Sequence, residues 1–197
     1  LRFNKKWKST LVSLFLVALV FVSWDLCYTE MKIWGFNPKY IVGINIINLP
    51  IEEVLFFFCI PYACLFTYHC FKILLPPFNF QPIKTISIIL ILMLFIVGII
   101  YYDKMYTSVT FISLSIAIFY IQFIQKAVWI PRLYLSLLIL ILPFLLINGI
   151  LTGTGIESEV VWYNQDEIMG YRILTIPFED FAYGFLLLLL NVYFFEK

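Results

Sequence analysis

The chain reads as an all-α, polytopic membrane helix bundle, and three observations carry that reading. Of its 197 residues 63% are apolar, 20% aromatic and only 13% charged, with a mean hydropathy of +0.98, a composition far from that of water-soluble domains. The apolar residues gather into runs of roughly 18 to 22, the length that about 30 Å of hydrocarbon requires. The segments between the runs repeat: Asn37 to Glu53, NPKYIVGINIINLPIEE, overlays Asn164 to Asp180, NQDEIMGYRILTIPFED, without a gap at a constant offset of 127 residues.

Six spans follow in chain order. The first, near 10–28, comes after the basic segment LRFNKKWK, which has no cleavage site behind it and so reads as an interhelical loop or a processed start, not a signal peptide. The second, near 54–74, begins directly after the first Pro-x-acid-acid motif and is interrupted by Pro61. The third, 83–102, and the fourth, 107–124, enclose a short polar break, and Lys126 and Arg132 separate the fourth from the fifth, 133–151. The sixth, near 174–195, carries the second Pro-x-acid-acid motif.

Threading the chain through six spans puts Arg2, Lys5, Lys6, Lys8, Lys72, Lys84, Lys126, Arg132 and Lys197 on the side of the amino terminus and Lys32, Lys39, Lys104 and Arg172 opposite. The excess of basic residues predicts a cytoplasmic amino terminus. Both repeated motifs then face the other side, toward the outer leaflet, and the halves are related in parallel and not by inversion. No basic patch with interleaved aromatics points to nucleic acid. Cys27, Cys59, Cys64 and Cys70 form no C-x-x-C pair and His69 is the only histidine, so no metal or haem ligand set is expected. No Gly-x-Gly-x-x-Gly follows a strand, so no nucleotide cofactor is expected either.

The acids need weighing. Proline at a helix start followed by glutamate in the first turn is an ordinary amino-terminal signature, because the fixed φ suits helix entry and the carboxylate complements the dipole. That account suffices for one copy. Here the motif occurs twice in register, as Glu52 and Glu53 and as Glu179 and Asp180, each after a loop of more than 20 residues and before a long apolar run. Carboxylates at the edge of hydrocarbon are costly and are functional candidates by default. Neighbouring residues on a helix point about 100° apart, so a working pair is expected to join the repeats, one acid from each, in a shared cavity. Two close carboxyls in apolar surroundings would share a proton, the arrangement that protonation at one carbon and deprotonation at another requires.

Upstream, Asp25 and Asn148 each precede a threonine, Thr29 and Thr152, by four residues. They are candidate cavity residues, or interhelical hydrogen-bonding partners. Asn37 and Asn164 fit turns, and Gly43 and Gly170 fit special backbone conformation. Trp24, Phe56, Trp162 and Tyr183 head the aromatic residues around the motif ends. Ring faces there could steady a carbocation, or form an interfacial anchoring belt.

PIEE with FFFCIPYACL, PFED with FAYGFLLLLLN, WDLCYT, WGFNPKYIVGI and NGILTGTGIESEVVWYN together resemble the small integral-membrane lycopene cyclases of carotenoid biosynthesis, in the form in which two homologous halves are fused. The resemblance covers nearly the whole length from about residue 5. It implies one further helix before residue 1, seven in all, and a division into a first repeat over 1–75, a linker helix over 76–105 and a second repeat over 106–197. It implies a lycopene β-cyclase: protonation of the linear end group, ring closure and loss of a proton, without net redox and without a cofactor. The implied catalytic residues are Glu52, Glu53, Glu179 and Asp180, with Glu52 and Glu179 foremost as the identical pair. Asp25, Asn148, Trp24, Phe56, Trp162 and Tyr183 are the implied substrate contacts. The partners it implies are a hydrophobic carotenoid and the lipid bilayer, with association with itself or with other carotenoid enzymes left open. A membrane transporter is the main rival, since repeats and buried acids also mark carriers, although no relay of ionisable residues crosses the spans. A non-catalytic carotenoid-binding partner subunit is the other.

Overall fold

The computed structural model describes residues 3–76 and 82–197. Arg2, counted among the basic residues above, and residues 77–81, in the expected linker stretch, lie outside the described residues. Six α-helices form among the described residues: α1 Trp7–Glu30, α2 Ile51–Leu74, α3 Ile83–Ile100, α4 Met105–Phe119, α5 Ile130–Leu151 and α6 Phe178–Phe195. A 3-10 turn at Phe3–Lys6 leads α1, and a π turn at Tyr120–Ile124 extends α4. All six are long and apolar enough to cross a membrane. The last starts later than hydropathy suggests, at Phe178, because Ile176 and Pro177 belong to a strand.

Helix α6 is central and packs against α1, α2, α4 and α5. Its Leu186, Leu187, Leu188, Leu189 and Val192 are buried, whereas α3 and α5 present rows of exposed Leu and Ile such as Ile88, Leu92, Leu138 and Leu142, as lipid-facing helices do. Apolar packing gains little when lipid is the alternative neighbour, so polar clamps matter. Ser13 of α1 donates its hydroxyl to the Asn191 carbonyl at 2.6 Å in the fully buried α1–α6 contact. At the end of the bundle away from the repeated loops, the Tyr68 hydroxyl and the Lys72 ammonium both reach Glu196, each at 2.6 Å, tying α2 to α6.

The duplicated loops carry short strands: β1 Trp34–Phe36, β2 Asn45–Ile46, β3 Leu49–Pro50, β4 Val161–Tyr163, β5 Arg172–Ile173 and β6 Ile176–Pro177. The duplication holds in atomic detail. Asn45 pairs with Pro50 and Ile46 with Leu49 in one ribbon, Arg172 with Pro177 and Ile173 with Ile176 in the other. Gly43 and Gly170 have φ of 87° and 85°, and Ile47 and Leu174 have φ of 60° and 58°, so each ribbon turns through left-handed backbone. Asn37 accepts the Lys39 amide and Asn164 the Asp166 amide, both at 3.0 Å, the turn role their residue type suits.

Between the loops, β1 pairs antiparallel with β4, Trp34 opposite Tyr163 and Phe36 opposite Val161. The amide of Asn37 donates to Val160 and that of Asn164 to Ile33, both at 2.8 Å. Gly35 lies under Trp162 so closely that an added Cβ would fall 2.3 Å from the indole; no larger residue fits. Because the loops pair, they lie at one end of the bundle, and the halves run in parallel.

Candidate active site

Each ribbon delivers its chain to Pro50 or Pro177, where α2 or α6 begins with two acids in its first turn. The first acid of each pair turns back to its own loop. Glu52 Oε1 accepts the Val42 amide at 2.7 Å, and Glu179 Oε1 accepts the Met169 amide at 2.7 Å. Val42 and Met169 are equivalent positions in the repeat. Glu179 also accepts the Thr107 hydroxyl of α4 and is fully buried.

The next residue on a helix points about 100° away, and in both copies that rotation aims the second acid into the bundle. Glu53 and Asp180 therefore line one cavity, together with Asp25, Asn148, Tyr106, Tyr163 and Tyr183. Asp180 accepts three hydrogen bonds: from the Tyr106 hydroxyl at 2.7 Å, the Tyr163 hydroxyl at 2.8 Å and the Asn148 amide at 2.9 Å. Asp25 accepts the Tyr183 hydroxyl at 2.6 Å, and the Glu53 carboxyl stands beside it on the wall of the same cavity. Burial, and then the adjacent Asp180, push the Tyr163 hydroxyl well above the ordinary tyrosine range. It therefore keeps its proton and acts as a donor.

Aromatic rings surround these carboxyls. Trp34 meets Tyr106 edge-on at 4.9 Å between centroids and Tyr183 at 5.9 Å, Tyr106 and Tyr163 stack at 6.0 Å, and Trp24 meets Tyr183 edge-on at 5.5 Å. Beyond them the cavity, about 890 Å³, continues between α2, α5 and α6 as an apolar channel reaching Thr67, Ile83 and Pro131. On α5 alone, from Asn148 back to Pro131, it follows roughly 25 Å of helix at about 1.5 Å per residue. A long apolar molecule could lie along it with one end at the acids.

The expected site residues thus separate. Glu53, Asp180, Asp25, Asn148, Phe56 and Tyr183 line the cavity; Glu52, Glu179, Trp24 and Trp162 do not. Glu52 and Glu179, foremost among the expected catalytic residues, each hold a loop amide with one oxygen, while the residue after each faces the cavity. Trp162 lies over Gly35 and borders a separate polar pocket with Arg172 and Thr175. Among the described residues no group of three His, Cys, Asp or Glu side chains is arranged to hold a metal ion. Two partners were missed in the sequence, Tyr106 and Thr107 of α4. They lie 74 and 72 residues before the acids they bind, and no matching segment elsewhere in the chain marks them.

The lycopene cyclase family model matches residues 1–71 and 103–197. Comparison with curated proteins and with solved structures gave no match. The matched stretches contain both duplicated loops and every carboxyl of the cavity, and the chain belongs to the lycopene cyclase family.

Proposed function

We propose that this chain is a lycopene β-cyclase that converts linear ψ end groups to β rings by acid–base chemistry. The observation that carries the reading is the meeting of three carboxyls, Asp25, Glu53 and Asp180, at the ring-lined end of a long apolar cavity. Neighbouring carboxyls in apolar surroundings share a proton, so such a site would have a proton to give and an acceptor to receive one.

The reaction balances with these groups alone. A carboxyl proton is transferred to the terminal trisubstituted double bond, leaving a tertiary cation. The next double bond attacks it, forming the ring bond and moving the positive charge into the ring. A carboxylate removes a proton from the carbon beside that charge, and the C–H electrons become the ring double bond. One proton enters, one leaves, and no electrons are gained or lost. The faces of Trp34, Tyr106 and Tyr183 would steady the cation, and exclusion of bulk water would keep it from being trapped. Glu52 and Glu179 position the loops that hold the reacting acids. The two duplicates form one catalytic unit with α3 as linker, the amino terminus is cytoplasmic, and the acids lie toward the outer leaflet of the cell membrane.

The test is expression in bacteria that accumulate lycopene, with pigments separated by chromatography. Cyclic carotenes are expected; unchanged lycopene beside abundant membrane-inserted protein would remove the reading.

A further inference from the structure

Resting on the cyclase reading, we infer that the two duplicates have divided the labour: the Asp25–Glu53 pair of the first holds and delivers the proton, and Asp180 of the second takes the proton away. The equivalent acids of the repeat, Glu53 and Asp180, stand in unlike surroundings. Asp180 faces Asn148, whose counterpart in the first duplicate is Asp25. Asp180 accepts the Tyr163 hydroxyl, and the residue 127 positions earlier is Phe36, which has no hydroxyl to offer Glu53. Tyr106 of α4 adds a third donor to Asp180. Glu53 has instead a second carboxyl beside it, and the two share a single ring hydroxyl, that of Tyr183 on Asp25. The residue equivalent to Tyr183 is Phe56, so Asn148 receives no such bond.

An ionised carboxyl only accepts hydrogen bonds, and three donors aimed at one carboxyl stabilise it as the anion. Two carboxyls with one donor between them cannot both be anions in a dry cavity; one proton between them satisfies both. Before a turnover the first duplicate is therefore loaded and the second is empty. The proton that Glu53 shares with Asp25 is given by Glu53 and becomes a C–H bond of the new ring, and the proton lost from the ring ends on Asp180. Tyr163 and Tyr106 are positioning residues that act through Asp180.

The experiment follows lycopene supplied to the purified full chain in lipid vesicles prepared in D2O, with products resolved by chromatography, mass and ring double-bond position. Removing the donor stops the reaction at its start, and removing the acceptor lets it begin and diverts its end. Glu53→Gln is expected to leave lycopene unreacted and free of deuterium, with conversion down by about 100-fold or more. Asp180→Asn is expected to go on consuming lycopene and incorporating deuterium. Its ring cation then loses a proton from a different carbon to the carboxylate that Glu53 became on giving its proton, or captures water and gives that carboxylate a proton, so displaced-double-bond and hydroxylated rings rise by about tenfold. Tyr163→Phe is expected to shift the product ratio the same way to a smaller degree, a change that loss of stability alone does not produce. That variant decides the question if Asp180→Asn does not fold, as judged by thermal unfolding in detergent. Unreacted, deuterium-free lycopene from Asp180→Asn or an unshifted product ratio from Tyr163→Phe would overturn the assignment, as would diverted rings from Glu53→Gln. In each case conversion by the wild type leaves the cyclase reading standing; a wild type that forms no rings removes the reading itself.

Discussion

Glu52 and Glu53 are adjacent, are both acids and open the same helix, yet Glu52 turns to a loop amide and Glu53 into the cavity, and replacing each by glutamine tests whether their tasks differ as proposed. In Glu52→Gln the amide oxygen can still accept the Val42 N–H that Glu52 Oε1 now holds at 2.7 Å. The loss is the difference between a charge-assisted and a neutral hydrogen bond, about 1 kcal/mol. Because Glu52 Oε2 is buried without a partner, the new NH2 group adds about 1 kcal/mol or more of unmet donor. Together these remove about 2 kcal/mol of stability, so the protein should lose several degrees of thermal midpoint while its conversion rate per folded molecule stays near that of the wild type. In Glu53→Gln the fold should be spared and, on the proposed reading, the chemistry should not. General acid–base groups contribute about 100- to 10,000-fold, which corresponds to roughly 3–5 kcal/mol of barrier. The assay is the initial rate of ring formation in vesicles, normalised to folded protein, alongside thermal unfolding in detergent. A Glu52→Gln chain that is well folded and inactive, beside a Glu53→Gln chain that cyclises normally, would refute the argument that helix rotation selects the second acid.

Four further outcomes are expected. Gly35→Ala drives a Cβ to within 2.3 Å of the Trp162 indole and should cost about 1–3 kcal/mol; adding Trp162→Ala should recover part of that, so the thermal midpoints of the pair will not add. Gly43→Ala and Gly170→Ala have open space around the new methyl, which leaves only the left-handed backbone to cost about 1–2 kcal/mol, and unfolding should show similar losses in the two repeats. Gly184→Leu projects into the cavity opposite Phe144 and should cut carotene formation by roughly tenfold through misplacement of the end group, measured by chromatography at equal protein. Ile47→Cys, at an 83% exposed position of the first ribbon, should react with a membrane-impermeant maleimide in whole cells of a strain carrying an otherwise cysteine-free chain; protection until the cells are lysed would reverse the proposed orientation.

Composition and run length made the bundle legible before any coordinates, because hydrocarbon admits little else than helices whose backbone polar groups are satisfied within themselves. The gapless repeat marked both loops and all four motif acids. Asp25 and Asn148 were found by the interval to their threonines, and they line the cavity beside Glu53 and Asp180. The short ribbons were not legible: pairs of two residues have no periodicity to read, and what holds them is the left-handed turn at Gly43 and Ile47 and its copy at Gly170 and Leu174. Identity between repeats pointed to Glu52 and Glu179. That signal was strong because both residues do the same thing, holding a loop amide, and a shared structural task leaves the same residue in both copies. The acids that reach the cavity differ, glutamate in one copy and aspartate in the other.

By itself the sequence determined that six apolar helices carry a duplicated acidic motif to one end of a membrane bundle, because length, hydropathy and register are properties of the chain read in order. Which acid of each pair faces the shared cavity was decided only by the tertiary structure. That choice depends on a rotation of about 100° between neighbours, on how α2 and α6 are turned toward one another, and on hydroxyls brought from α4, 74 residues before Asp180, and from β4, 17 residues before it. Donors such as Tyr106 and Tyr163 become partners of Asp180 only when packing closes the distance, and no local pattern records where packing will bring them.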